Sequence, residues 1–225
     1  MHQDPAVSLG YGLVSSGAAL LPDIDTETST VTAAVPFGRV LLAPVRAACR
    51  GHRQASHSLL GAGVLFVVLL ALSRAASPHV SAVAQWPARA LFPALMAWLG
   101  LRATLTIARR PGPHGPDGPS TRPLLSRHLR EVVGLAGAVF AAWIFTNRTG
   151  SLAASTQMMV ALGVGGYLTH LAGDAIFNGI PLLWPHRARW RITRLVTGTP
   201  SARVLDLALA VVSLLASLLL IVGGR

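Results

Sequence analysis

Lysine is absent from this chain, cysteine occurs once, and only eight of its 225 residues are acidic. Each scarcity excludes something. The lone Cys49 rules out an intrachain disulfide and any cysteine-based zinc site, so a metal centre here must draw on His and carboxylate ligands. Charged residues of both signs make up 12% of the chain, about half the usual share of a soluble domain, which carries roughly 25%. Against that stand 52% hydrophobic residues and a mean hydropathy of +0.55, a composition suited to lipid as solvent. Residues Met1–Gly10 contain no Lys or Arg, so the start of the chain does not read as a cleavable signal peptide.

What is present is a series of apolar stretches. Pro5–Leu21 is short and rich in Gly and Ser, marginal against the about 20 residues a full crossing needs. Leu59–Ala76, Ala88–Ala108, Leu129–Thr146, Leu152–Phe177 and Val204–Val222 follow, the last being the cleanest. The expected fold is therefore a single all-α domain over residues 1–225, a polytopic transmembrane bundle of about five or six helices embedded in a lipid bilayer. Residues 109–128 are expected to form a flexible Pro/Gly/Arg-rich loop, because RRPGPHGPDGPSTR cannot sustain a helix.

The formal charge of +11 comes wholly from Arg. In a membrane chain clustered Arg reports topology, and a nucleic-acid partner is disfavoured. Four Arg lie in Arg39–Arg53 and five in His186–Arg203, whereas Ser77–Pro87 and Asn147–Ser151 hold one between them, Arg148. All the basic segments fall on one side if successive spans alternate in direction from Leu59–Ala76 outward. The positive-inside rule makes that side cytoplasmic.

Three motifs carry ionisable residues. LLPDID places Asp23 and Asp25 just past a helix end, where two carboxylates spaced i, i+2 suit either one cation or ordinary turn chemistry. GHRQASHSLL brings His52, Arg53, His57 and Ser58 to the head of an apolar span, with Ser56 a candidate N-cap. GYLTHLAGDAIFNGIPLLWP sets His170 and Asp174 four residues apart, on one helix face and inside an apolar stretch, where ionisable groups are costly and mark function. The topology, derived from Arg alone, gathers Asp23, Asp25, His52, His57, His170 and Asp174 at the cytoplasmic face. Six ligands there suit one divalent metal, or two sharing carboxylates. Trp86, Trp184 and Trp190 flank spans and read as interfacial anchors.

In this order the three blocks resemble the YdjM-like inner-membrane metal-dependent hydrolases, over roughly Leu20–Pro185. That family is in turn distantly similar to zinc-dependent phospholipase C and the zinc-dependent single-strand nucleases, which use a His-x-x-x-Asp pair on a helix, here His170 and Asp174. The resemblance implies a multi-pass inner-membrane protein with a hydrolytic centre holding zinc, or alternatively manganese. Asp25 is then the candidate general base, Arg53 and Ser58 orient or neutralise the substrate, and an ester or phosphoester, such as a lipid or lipid-linked phosphate, is the substrate class. The competing readings are a transporter or metal-handling membrane protein and a non-catalytic scaffold tied by metal. A transport path needs polar residues at several depths, whereas these cluster at one end of the spans.

Overall fold

The computed structural model describes residues 4–35, 37–51, 53–75, 87–107, 109–115, 118–123, 125–147, 152–186 and 188–192. The expected span Val204–Val222 and the candidate ligand His52 lie outside these residues, as does Trp86.

Eight α-helices are described: α1 (Pro5–Ala18), α2 (Thr30–Ala34), α3 (Gly38–Leu41), α4 (Ala43–Cys49), α5 (Leu59–Ala75), α6 (Phe92–Ile107), α7 (Arg127–Asn147) and α8 (Leu152–Phe177). Short 3-10 turns at Leu21–Asp25 and Ala55–His57 follow α1 and precede α5, and a π turn at Pro87–Leu91 leads into α6. Helix α1 starts where Asp4 caps it and Pro5 occupies its first position, a proline placement that forfeits no intrahelical bond. Asp4 Oδ1 accepts from the Ala6 N–H at 2.9 Å. At the other end the chain tightens into the 3-10 turn, which carries the apolar segment on to Asp25. As a result Pro5–Asp25, at 21 residues, is long and apolar enough to cross a membrane, where Pro5–Leu21 alone was marginal. His128–Asn147 and Gln157–Phe177 meet the same criterion, and Leu59–Arg74 is a shorter apolar helix.

The expected helices over Leu59–Ala76, Ala88–Ala108, Leu129–Thr146 and Leu152–Phe177 are all present, each within a few residues of its expected bounds. The Pro/Gly segment, expected as a flexible loop, forms no helix; Arg109–Gly115 and Gly118–Pro123 pair as an antiparallel ribbon, irregular between Pro111 and His114. Fixed proline φ suits extended chain, and the missing N–H groups are tolerated where a ribbon has open edges.

Helix α1 is the centre of the bundle, against α6, α7 and α8. Contact is close because small residues meet. A Cβ on Gly17 would stand 1.8 Å from the Met96 carbonyl oxygen, and one on Gly166 would stand 2.3 Å from that of Ser15. Such approach is how membrane helices gain packing energy, since lipid supplies no hydrophobic drive between them. The contacts also fix direction. Gly10 meets Ile144 and Leu13 approaches Gly137, so α7 runs against α1; Gly61 meets Tyr167 and Leu69 meets Gly163, so α5 runs against α8. Because α1 and α8 both finish where α5 begins, α5 and α7 run against α1 and α8. Val14, Ala18, Leu69, Met96, Ala97, Ile144, Phe145 and Met159 form the main core. Outward faces stay apolar: Val132, Leu135, Val139 and Trp143 form a helical stripe on α7, and Val64, Phe66, Val67 and Val68 are exposed on α5. A soluble domain would cover such stripes; a membrane helix leaves them to lipid.

At the end of the bundle where α1 and α8 finish and α5 begins, Arg102 ties three elements together. It pairs with Glu131 of α7 at 2.7 Å, donates to the Ala34 carbonyl of α2 at 2.6 Å, and lies over the Trp98 ring.

Candidate metal centre

The same end of the bundle holds the motif residues. Asp23 and Asp25 come from the 3-10 turn after α1. Successive residues of a 3-10 turn are about 120° apart, so positions i and i+2 point in different directions. The two carboxylates accordingly bracket one imidazole: Asp23 Oδ1 is 3.4 Å from His57 Nε2 and Asp25 Oδ2 is 3.2 Å from His57 Nδ1.

His57 closes the second 3-10 turn and is fully buried. The chain reaches it through left-handed backbone at Arg50 (φ 58°), Gly51 (φ 119°) and Arg53 (φ 55°). For the two arginines that conformation costs on the order of 1 kcal/mol each, so it persists only where surroundings hold it. At Arg53 the hold is visible: its N–H donates to Asp25 Oδ2 at 2.9 Å. Asp25 is thus heavily committed. Its Oδ2 also accepts from the Ser56 hydroxyl, and its Oδ1 accepts from the Thr26 hydroxyl at 2.9 Å.

Helix α8 supplies the rest. His170 and Asp174 lie one turn apart, with His170 Nε2 and Asp174 Oδ2 separated by 3.6 Å. Asp174 faces His57, and His170 faces both His57 and Asp23. Asp174 Oδ2 is 3.3 Å from His57 Nε2, and His170 Nε2 is 3.8 Å from Asp23 Oδ1. Asn178, one more turn along, donates to Asp174 Oδ1 at 2.8 Å and leaves Oδ2 toward the cluster. Arg53 Nε stands 3.4 Å from Asp174 Oδ2.

Asp23, His57 and His170 offer ligand atoms within 4.8 Å of one another, and Asp174 adds a fourth beside both imidazoles. Two ligands of one tetrahedral zinc, with bonds of about 2.0–2.1 Å, lie about 3.3–3.4 Å apart. The four His-to-carboxylate separations, 3.3, 3.4, 3.6 and 3.8 Å, sit at or just above that edge. Buried polar atoms point the same way: His170 Nε2 and Asp174 Oδ2 are buried and take no hydrogen bond among the described residues. Leaving such groups unsatisfied costs about 1–3 kcal/mol each, more for a charged group, and a shared cation satisfies both at once. Two imidazoles and carboxylates suit zinc, with manganese as a harder alternative. Burial resists a charge on His57, but Asp174, Asp23 and Asp25 outweigh it, so in the metal-free protein its pKa is pushed up from 6.5 to about 10.

The structure thus brings Asp23, Asp25, His57, His170, Asp174 and Arg53 together. Ser58 is placed differently from the substrate-orienting position expected of it. It is fully buried, and its hydroxyl donates to the Ala55 carbonyl at 2.6 Å and accepts from the Gly61 N–H at 3.4 Å, a cap on α5. Ser56, expected as that cap, instead binds Asp25. Tyr167 was not singled out from the sequence; its hydroxyl donates to the Ser56 carbonyl and so fixes the turn bearing His57. Gly61 makes room for it, since a Cβ there would meet the Tyr167 oxygen at 2.4 Å. Asn178 was likewise passed over, although His170, Asp174 and Asn178 form an i, i+4, i+8 ladder readable in sequence. Of the candidate anchors, Trp190 is exposed and Trp184 half-buried.

No curated protein and no solved structure matches the chain. The distant likeness to zinc-dependent phospholipase C and single-strand nucleases therefore rests on the motif blocks alone. Nearer to hand, the resemblance holds: residues 2–108, which carry the Asp23–Asp25 and His57 blocks, match the family described as YdjM inner membrane protein.

Proposed function

We propose that this chain is a membrane-bound metal-dependent hydrolase, acting on an ester or phosphoester of a lipid or lipid-linked phosphate at the cytoplasmic face. The observation that carries the reading is the convergence of ligand atoms from three separate segments at separations one ion can span. Asp23, His57, His170 and Asp174 hold the ion, zinc first and manganese second. His52, in the same block as His57, remains a further candidate ligand. A bound ion of this kind supplies Lewis acidity and a water acidified to a pKa of about 7.

The other residues position and neutralise. Asp25 accepts the Nδ1 proton of His57, which keeps the Nε2 lone pair toward the centre, the usual carboxylate–histidine–metal relation. Because both its oxygens are already engaged, Asp25 serves better as an orienting group than as a general base. Of the two ligand carboxylates Asp23 is the more exposed, at 34% of its side chain against 12% for Asp174, and is the better placed to exchange protons with solvent. Arg53, fixed through its backbone by Asp25, sets its guanidinium beside the centre, where it matches a phosphate or carboxylate oxyanion. The cytoplasmic assignment is supported by Arg39, Arg46, Arg50, Arg53 and Arg102 at this end of the bundle, against Arg74 at the far end of α5 and Arg89 ahead of α6.

Elemental analysis of the detergent-purified protein, beside a His170→Ala/Asp174→Ala variant, tests the reading. Near-stoichiometric zinc or manganese in the wild type, lost in the variant, together with metal-dependent hydrolysis of a phosphoester or ester panel, is the expected result. A folded wild type that binds neither metal after supplementation would sink it.

A further inference from the structure

Helices α3 and α4 make one nearly continuous helical stretch. Leu42, between them, keeps right-handed helical backbone (φ −92°, ψ −1°), so side-chain phase carries across the joint. Its buried side is narrow: Gly38 and Cys49 are buried and Leu42 half-buried, at positions i, i+11 and i+4. Gly38 is pressed so closely on α2 that a Cβ would meet the Thr32 carbonyl oxygen at 2.2 Å. The opposite side is apolar yet exposed. Val40 (73%), Leu41 (61%) and Val45 (40%) recur with Pro44 and Ala48 at i, i+1, i+5, i+4 and i+8. That is the period of one helix face. Phe37 (83%), in left-handed backbone just ahead of α3, adds a further exposed ring. Arg39, Arg46 and Arg50 form a second row at i, i+7 and i+11. Arg46 donates to the Gly38 and Arg39 carbonyls and staples the joint, while Arg39 and Arg50 stay exposed. The acidic partner of this surface is Glu27, 4.0 Å from Arg39 and itself exposed.

An apolar face with a basic row across the helix from it is the pattern of a helix lying in a membrane interface. Continuity supports the assignment. Leu59 and Leu60, the first residues of α5, are exposed apolar side chains at the same end of the bundle, where that apolar helix begins. We propose that Gly38–Cys49 is an in-plane anchor seated on an anionic phospholipid leaflet, with Phe37, Val40, Leu41 and Val45 at the acyl boundary and Arg39 and Arg50 on lipid phosphates. The anchor leads directly through Gly51 and Arg53 to His57, and so sets the depth of the candidate centre at headgroup level. The proposal concerns this surface and stands apart from the hydrolytic reading, because neither row contributes a metal ligand.

Single cysteines at Val40, Leu41 and Arg50, labelled with a bimane fluorophore, test it in the full chain. The protein is reconstituted into phosphatidylcholine vesicles and into mixed phosphatidylcholine–phosphatidylglycerol vesicles. Cys49 is buried, so the unmodified chain is the labelling blank. Labels at Val40 and Leu41 should be quenched by lipids carrying a shallow nitroxide and be several-fold less sensitive to aqueous iodide than the label at Arg50. Phosphatidylglycerol should deepen the lipid quenching at Leu41, and Arg39→Gln/Arg50→Gln should abolish that response. Iodide sensitivity at Val40 and Leu41 equal to that at Arg50 overturns the proposal. Protection from both quenchers also overturns it, since residues 193–225 or a second copy would then cover the stripe. Lipid quenching indifferent to phosphatidylglycerol removes the anionic partner. Metal content measured on the same preparations reports the centre separately.

Discussion

At the scale of single residues, His57 decides how the centre behaves. Among the described residues it is the one imidazole flanked by carboxylates at both ring nitrogens, so orientation and charge are set by different partners. Substituting Asp25 by Asn leaves every proposed ligand in place but weakens the acceptor at Nδ1. We expect about a 10–100-fold loss of metal affinity, read by competition with a chromogenic chelator, the range for second-sphere partners of metal-binding histidine. His170→Ala, by contrast, should remove stoichiometric binding. The pH dependence has a definite sign. The folded-state pKa of His57 in the metal-free protein is raised from 6.5 to about 10. Its stabilising contribution is therefore complete below pH 6.5 and is lost as pH rises through about 10. The metal-free protein should lose thermal stability over that window, and the loss should be smaller in His57→Gln. Metal entry at neutral pH must displace this proton, so calorimetric binding enthalpies should vary with the ionisation enthalpy of the buffer.

Among elements, close helix contact carries the argument. Gly17 and Gly166 let α1 touch the backbones of α6 and α8, where a methyl group would need to displace peptide oxygens rather than flexible side chains. Gly17→Ala should therefore destabilise the bundle by about 1–3 kcal/mol or more, as overpacking does elsewhere. Gly12→Ala, on the same helix but with nothing within 4 Å of the added carbon, is the matched control and should be neutral in thermal unfolding. Tyr167 acts between elements too. Its hydroxyl holds the His57 turn from α8, so Tyr167→Phe should cost about 1–3 kcal/mol by leaving the buried Ser56 carbonyl short of a donor. The α5 and α8 helices themselves were legible from sequence because apolar runs are local signals. The 3-10 turns were not, since nothing in LLPDID distinguishes a tightened turn from an ordinary loop.

For the whole molecule, the ligands join the end of α1, the start of α5 and the end of α8, so metal binding and bundle stability are linked. Metal at about 100 times its dissociation constant should stabilise the folded protein by about 2.7 kcal/mol. A melting temperature that rises with zinc in the wild type and stays fixed in His170→Ala/Asp174→Ala is the expected outcome; an equal rise in both would point to zinc bound elsewhere. Among the described residues, the end of α1, the start of α5 and the end of α8 lie together, with Arg39, Arg46, Arg50 and Arg53 in the connection that leads to His57.

Sequence alone determined the membrane class, the positions of the described long helices and the grouping of Asp23, His57, His170 and Asp174 as one candidate set, because hydropathy and i, i+4 spacing are properties of short stretches. Tertiary structure decided the division of labour within that set. Asp23 and Asp25 look equivalent in LPDID, yet the 3-10 turn sends one to Nε2 of His57 and the other to Nδ1. Ser56 and Ser58 look interchangeable as caps, yet one holds Asp25 and the other caps α5. The outward stripe of Val40–Ala48 could equally have been a core face by its spacing. Which way a periodic face points, and which atom of a side chain meets which partner, depends on contacts between segments far apart in the chain, and these form only when the helices pack.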